Sequence, residues 1–153
     1  MVQLTNNRSL QSLHSIKGLE RGLIVDDVPS IRIHINKTMR GMGIETWHAG
    51  NGDQAYRLLH RHPFDIVVTD IEMPETSGLE LLSSMRQSTN QRISKTPVIV
   101  TSSVRDQRIE QQVRFVKFAY FLPKPIRTTE LKVLLQMIAT SRTLRAERMS
   151  PKR

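Results

Sequence analysis

Four short, continuously apolar segments separated by helical patterns constrain the fold of this chain more than any other feature of its sequence. A strand that is buried on both faces has an uninterrupted apolar sequence, and such strands are typical of parallel sheets covered by helices. A fifth segment, over 44–49, is more polar and suits an edge strand. The four apolar segments cover 22–26, 65–70, 97–101 and 118–122.

Helical patterns lie between these segments. Apolar residues recur at helical spacing in five stretches, and the last predicted helix begins near Thr128, a residue type that suits an N-cap. Strand and helix therefore alternate along the chain, which predicts an α/β fold with a parallel sheet. In such sheets ligands bind beyond the carboxyl ends of the strands, so this edge is where a site is expected.

Chemically useful side chains stand at the ends of the predicted strands. Asp26 and Asp27 end the first strand, Asp70 ends the third, Thr101 ends the fourth, and Lys124 follows the fifth. Three carboxylates at one edge need compensation, which a lysine ammonium and a divalent cation such as Mg²⁺ can both supply. A carboxylate beside a metal ion, an ammonium and a hydroxyl is suited to accept a phosphoryl group. Each residue alone has a more ordinary interpretation, so the hypothesis depends on their joint placement.

Four sequence blocks resemble those of response-regulator receiver domains in two-component signalling, the family that includes the chemotaxis regulators. The resemblance extends over about residues 20–140, and its blocks are LIVDD, TDIEMPETSGL, PVIVT and LPKP. It implies a flavodoxin-like (βα)5 fold, with a doubly wound, five-stranded parallel sheet in the order 2-1-3-4-5. It also implies a phosphorylation-dependent switch that is not a conventional enzyme, because the domain catalyses only its own phosphorylation and dephosphorylation.

The resemblance implies a metal site and a phosphoacceptor. Asp70 would accept the phosphoryl group and contribute to binding Mg²⁺. Asp27 would bind the ion directly, Asp26 mostly through water, and Glu72 through its backbone carbonyl. The donor would be the phosphohistidine of a sensor histidine kinase or of a histidine phosphotransfer protein, and the output would be contact with an unknown downstream protein.

The resemblance also implies a switch beside the phosphoacceptor. Thr101 would bond a phosphoryl oxygen and Lys124 would pair with the phosphoryl group, while Pro125 would follow a peptide bond of unusual geometry. Phe121 stands where the family often has a switching aromatic residue, and Tyr120 is expected on the opposite face of the sheet. The segment 114–119 departs from the pattern, since it lacks the glycine that would end the preceding helix most easily.

The ends of the chain carry most of its net charge of +9. We expect an N-terminal extension or linker over 1–18, with Leu10, Leu13 and Ile16 at helical spacing, a receiver domain over 19–140, and a basic tail over 141–153 that can extend the last helix. The chain has no cysteine and no apolar run long enough to span a membrane, which favours a cytoplasmic protein without membrane contact.

Two alternatives remain open at this point. One is a receiver-like interaction module that is not phosphorylated. The other is a receiver segment of a larger regulator whose basic tail contacts nucleic acid, although the sequence lacks the basic residues interleaved with aromatic ones that favour such binding.

Overall fold

A computed structural model describes residues 15–151 of the chain. Its five strands form one parallel sheet in the order β2-β1-β3-β4-β5, which confirms the predicted fold class and strand order. The strands are β1 (Arg21–Val25), β2 (Glu45–Ala49), β3 (Ile66–Asp70), β4 (Val98–Ser102) and β5 (Ala119–Pro123).

Helices cover both faces of this sheet. Four of them begin with a side-chain cap, in which Asn51, Ser77, Asn90 or Asp106 accepts a hydrogen bond from a backbone N–H of the first turn. Thr128 is the first residue of the last helix, so the prediction that it caps this helix is wrong. The described helices are α1 (Pro29–Gly41), α2 (Gly52–Arg61), α3 (Gly78–Gln87), α4 (Gln91–Ser94), α5 (Gln107–Arg114) and α6 (Thr128–Met149).

The sheet separates two apolar clusters, one on each face. Alternating residues of β1, β3, β4 and β5 contribute to opposite clusters, so Val67 packs with α2 and α3 whereas Val68 packs with α1 and α6. Tyr120 and Phe121 also pack against opposite clusters, as predicted. Because β3 and β4 are buried along their whole length, they read as continuous apolar runs in the sequence.

The segment before β1 and the end of α6 pack against each other. Gly18 has a φ of +97°, and a side chain at this position would meet Thr143 and the backbone of Ala139. The Ile16 N–H donates to the carbonyl of Met42 at 3.2 Å. Leu10 and Leu13 lie outside the described residues, so their predicted helical spacing has no structural counterpart here.

The turn before β5 is left-handed without a glycine. Phe118 has a φ of +59°, a conformation that costs a bulky residue about 1–3 kcal/mol. The guanidinium of Arg86 donates to the carbonyls of Lys117 and Phe118, at 2.8 and 3.0 Å, and the guanidinium of Arg145 lies 4.3 Å from the centre of the Phe118 ring. Two cations from distant helices therefore hold the turn where the sequence lacks its usual residue.

Within residues 15–151, no helix is both long enough and apolar enough to cross a membrane.

Candidate functional site

Three carboxylates meet at the carboxyl edge of the sheet. Asp26 and Asp27 directly follow β1, and Asp70 is the last residue of the neighbouring β3. One oxygen from each of the three lies within 4.8 Å of the others. Asp26 and Asp70 are buried, whereas Asp27 is exposed, so the cluster opens to solvent on the side of Asp27.

Lys124 is the cation of this cluster. Its ammonium donates to Oδ2 of Asp26 at 3.1 Å and lies 3.2 Å from Oδ1 of Asp70. The other oxygen of Asp26, Oδ1, accepts the backbone N–H of Val28 at 2.8 Å. Both Asp26 oxygens are thus occupied, while buried Oδ1 of Asp70 has no hydrogen bond from the described residues. The Lys124 ammonium is close to Oδ1 of Asp70, but the two groups are not oriented for a hydrogen bond.

Two carboxylates and one ammonium leave excess negative charge in a buried place, and the titration of the site reflects this. Burial raises the pKa of Asp70 to about 7, and a hydrogen bond to Glu72 adds to the effect while Lys124 opposes it. Burial by itself would lower the pKa of Lys124, but Asp26 and Asp70 outweigh it and raise that pKa. The excess negative charge and the available carboxylate oxygens of this site would both favour the binding of an added cation.

The donor atoms suit a hard divalent cation. Carboxylate oxygens are the preferred ligands of Mg²⁺ and Ca²⁺, and Mg²⁺ is usually held by one or two carboxylates and several waters. Asp27 is exposed and Oδ1 of Asp70 lacks a hydrogen-bond donor among the described residues, so these two are the groups that can bind such an ion without losing an existing bond.

Glu72 and Ser102 form a second pair beside Asp70. The Ser102 hydroxyl donates to Oε1 of Glu72 at 2.5 Å and accepts the backbone N–H of Val104 at 3.0 Å. Burial would raise the pKa of Glu72, but hydrogen bonds from Ser102, Asp70 and the backbone lower it below its usual value. These hydrogen bonds favour the ionised form of the Glu72 side chain beside Asp70.

The Thr101 hydroxyl is not placed to bond a phosphoryl group on Asp70, which is the role predicted for it. Its side chain is fully buried, and its hydroxyl donates to the carbonyl of Thr69 at 3.4 Å. Ser102 is the residue whose hydroxyl reaches the loop after Asp70, because β4 extends one residue further than predicted and successive side chains point to opposite faces. The order Thr-Ser-Ser in the sequence does not show which hydroxyl faces the site. In the structure β4 ends at Ser102, and the Ser102 hydroxyl is the one that reaches Glu72.

Phe121 shares its sheet face with Ser102. Its register partner in β4 is Val100, which precedes Ser102 by two residues, whereas Thr101 pairs with Leu122 on the opposite face. The half-buried Phe121 ring also lines a cleft of about 650 Å³ between α5 and the start of α6. The peptide bond between Lys124 and Pro125, at the rim of this cleft, is cis.

Gly78 sets the shape of the loop that follows Asp70. A Cβ at this position would stand 2.1 Å from the carbonyl oxygen of Asp70, and the Gly78 N–H donates to the carbonyl of Ile71 at 3.2 Å. Only glycine allows this approach, so α3 can begin directly against the end of β3. The glycine of the central sequence block is therefore explained by a steric requirement.

Comparison with known proteins gives a consistent result. Residues 23–136 match the response regulator receiver domain. The chain is 35% identical to the response regulator protein PilR of Pseudomonas aeruginosa over 126 residues, which are 82% of this chain and 27% of that protein. It is 34% identical to the chemotaxis protein CheY of the same organism over 119 residues, or 76% of this chain and 93% of CheY. The chain thus spans about a quarter of PilR and nearly the whole of CheY.

Solved structures agree with these sequence matches. The chemotaxis response regulator CheY4 of Vibrio cholerae superposes with a TM-score of 0.70 at 26% identity, covering 78% of this chain and 98% of CheY4. The signal receiver domain of a Luxo repressor protein from Vibrio parahaemolyticus superposes with a TM-score of 0.77 at 21% identity, covering 87% and 99%, and shows likeness of fold alone. The fold, the acidic cluster and the matched residues lead to one conclusion: the chain belongs to the family of response regulator receiver domains of two-component signalling.

Proposed function

We propose that Asp70 accepts a phosphoryl group with the help of Mg²⁺, and that the modified domain changes its contacts with other proteins. The observation that carries this proposal is the buried Asp70 oxygen, which lies 3.2 Å from the Lys124 ammonium and within 4.8 Å of oxygens from Asp26 and Asp27. A buried carboxylate with an incomplete set of partners is poised to react with an incoming electrophile.

The chemistry is an in-line phosphoryl transfer. A carboxylate oxygen of Asp70 attacks phosphorus, the bond between phosphorus and the donor's imidazole nitrogen breaks, and the electron pair leaves with that nitrogen. The product is an acyl phosphate on Asp70. Asp27, Asp70 and the backbone carbonyl of Glu72 would hold the metal ion, with Asp26 bound to it through water. Bound Mg²⁺ would supply positive charge to neutralise the transferring phosphoryl oxygens.

Two side chains receive the phosphoryl oxygens. The Lys124 ammonium, already beside Asp70, pairs with one of them. Ser102 takes the hydroxyl role that the sequence predicted for Thr101, because its hydroxyl is on the side of Glu72 and needs only to leave that carboxylate to reach the modified Asp70. The switch then runs from Ser102 to Phe121 on the same sheet face.

The partners follow from the chemistry. A phosphohistidine on a sensor kinase or a histidine phosphotransfer protein supplies the phosphoryl group, and a downstream protein reads the change near Phe121. We further propose that residues 19–140 form the receiver domain, with 1–18 as an extension and 141–153 as a tail that lengthens α6. The domain acts in the cytoplasm, where such donors are found.

Intact-mass analysis after incubation with Mg²⁺ and acetyl phosphate tests the proposal. The protein should gain the mass of one phosphoryl group, and the gain should be lost with EDTA and in Asp70→Ala. Asp53→Ala serves as the matched control, since Asp53 is exposed on α2, and it should be modified like the wild type. Failure of the wild type to gain mass, or an equal gain in Asp70→Ala, would refute Asp70 as the acceptor.

A further inference from the structure

A basic cleft lies at the opposite end of the sheet from Asp70. Its volume is about 470 Å³, and it is bounded by the last turns of α6, by the short helix α4 and by the turn that leads into β3. Four cationic side chains line it, namely Arg92, Lys95, Arg142 and Arg145. Asp65 is the only acidic residue among its lining side chains.

The single carboxylate of the cleft is already satisfied. Oδ2 of Asp65 accepts the backbone N–H groups of Glu20 and Arg21 at 2.8 and 2.9 Å, and Oδ1 accepts Nη2 of Arg142 at 2.9 Å. Arg142 also donates to the Asp65 carbonyl at 3.0 Å. Asp65 and Arg142 therefore cancel in charge and fix the end of α6 to the sheet, which leaves Arg92, Lys95 and Arg145 as uncompensated positive charge.

These three cations face solvent without a carboxylate partner in the described part of the chain. Arg92 and Lys95 are exposed, and the closest polar contact of Lys95 is a 3.4 Å hydrogen bond to Gln91. Arg145 lies over the Phe118 ring, which orients its guanidinium but does not neutralise it. Exposed Arg148 follows on the next turn of α6, and the sequence continues with Lys152 and Arg153.

One exposed aromatic ring, that of His62, lies next to the cleft, 6.5 Å from the buried Phe64 ring between centroids. Phe64 is part of its lining, and its ring meets Trp47 edge to face at 5.6 Å between centroids. The exposed ring of His62 stacks on Trp47 at 5.9 Å with an angle of 28° between the planes. The fold thus places one exposed aromatic ring, that of His62, beside a basic cleft whose cations are distant from it in the sequence.

We propose that this cleft binds the phosphate backbone of single-stranded nucleic acid, with His62 as a stacking surface for a base. Two of its three uncompensated cations are arginines, whose planar guanidinium groups match phosphate oxygens in pairs, and an aromatic surface beside a basic groove is the general arrangement for single strands. An acidic protein segment would pair with the cations of the cleft but would not stack on the exposed ring of His62. The cleft lies beyond the amino ends of the strands, so binding does not obstruct Asp70.

Fluorescence anisotropy with a labelled oligothymidylate of about 15 nucleotides tests the proposal. The wild-type chain should bind, and the affinity should fall with salt with a logarithmic slope of about −2 to −3, as expected for three to four phosphate contacts by single strands. No binding at low salt would overturn the proposal. Competition by polyglutamate as effective as by unlabelled oligothymidylate would overturn it too, since the cleft would then be a site for acidic protein segments.

A matched pair of charge reversals separates the cleft from the net charge of the chain. Arg92→Glu with Lys95→Glu should weaken binding at least about tenfold, because two cations that contact phosphate are replaced by repulsive groups. Arg108→Glu with Lys132→Glu makes the same change of charge at exposed sites on α5 and α6, and should weaken binding less than about threefold. Equal losses in the two double variants would show nonspecific attraction and refute the site.

Two further variants complete the design. His62→Ala should lower affinity for the oligonucleotide about threefold or more while leaving polyglutamate binding unchanged, and no difference between the two ligands would refute the stacking role. Asp70→Ala should bind as the wild type does, because the cleft is at the other end of the sheet. Circular dichroism confirms that each variant is folded before its affinity is compared.

Discussion

The ammonium of Lys124 lies 3.2 Å from Oδ1 of Asp70, so the loop after β5 supplies the cation for the carboxylate at the end of β3. The same ammonium also donates to Asp26 at 3.1 Å. One positive charge therefore serves two buried carboxylates, and the raised pKa of Asp70, at about 7, is the consequence of burial with incomplete compensation. This relationship leaves the pocket with excess negative charge, which should destabilise the fold when Asp70 ionises.

Replacing Lys124 by Met should destabilise the protein most at alkaline pH. At pH 8 Asp70 is mostly ionised and loses its cation, which for a buried pair costs about 3 kcal/mol. At pH 5 Asp70 is protonated, so only the contact with Asp26 is lost and the cost should be smaller by at least about 1 kcal/mol. Urea denaturation in EDTA at the two pH values measures the difference. Lys132→Met, at an exposed site on α6, should show no such dependence.

Asp70→Asn should stabilise the metal-free protein at pH 8 and not at pH 4. The pKa of Asp70 is raised from 3.8 to about 7 by burial, so between these values the folded protein holds a proton that the unfolded chain releases. Stability from this group therefore falls as pH rises from about 4 to 7, and the loss at pH 8 is about 2–4 kcal/mol.

The amide of Asn removes this loss, since it carries no charge at any of these pH values. The difference in free energy of unfolding between Asp70→Asn and the wild type should rise with pH and level off above about pH 7. Denaturation series in EDTA from pH 4 to pH 8 measure it, with Asp53→Asn as a control whose difference stays flat. A pH-independent difference for Asp70→Asn would contradict the raised pKa.

Much of the fold could be predicted because both faces of the sheet are covered. The continuous apolar sequence of β3 and β4 results from burial on both sides, and the residues after such strands must meet at one edge. Asp26, Asp27, Asp70 and Lys124 were therefore predictable as neighbours, and the structure brings them together.

The end of β4 was harder to predict from sequence. In a strand the side-chain direction reverses at every residue, so an error of one position moves a hydroxyl to the other face. The sequence offers Thr101, Ser102 and Ser103 in succession, and nothing in their types distinguishes them. Their hydrogen bonds in the structure distinguish them, since Ser102 donates to Glu72 beside the site whereas Thr101 donates to the buried carbonyl of Thr69.

Removal of each hydroxyl should separate Ser102 from Thr101. Ser102→Ala should slow phosphorylation by acetyl phosphate at least about tenfold, because the modified site loses a hydrogen-bond donor that would stabilise the developing charge. Thr101→Val keeps the shape of the buried side chain and should change the rate less than about twofold. The time course of the mass gain measures both rates. The opposite ranking would restore Thr101 to the role predicted from the sequence.

The left-handed turn at Phe118 could not be predicted, because its support comes from distant parts of the chain. Arg86 on α3 donates to the carbonyls of Ser94, Lys117 and Phe118, at 3.3, 2.8 and 3.0 Å. Its guanidinium is largely enclosed, and burial lowers the pKa of Arg86 to about 10. The Phe118 carbonyl also accepts the Val98 N–H at 2.9 Å, so the carbonyls of Ser94 and Lys117 are the ones that depend on Arg86.

Arg86→Ala should therefore destabilise the fold by about 2–4 kcal/mol, since it leaves the carbonyls of Ser94 and Lys117 without this donor and removes one of the two donors to Phe118. Arg57→Ala serves as the control, because Arg57 is exposed on α2, and it should change stability by less than about 0.5 kcal/mol. In a Phe118→Gly background the turn is free of its conformational cost, so Arg86→Ala should cost about 1 kcal/mol less than in the wild type. Urea denaturation of the four members of this double-mutant cycle gives the coupling energy, and additive effects would show that Arg86 does not hold the turn.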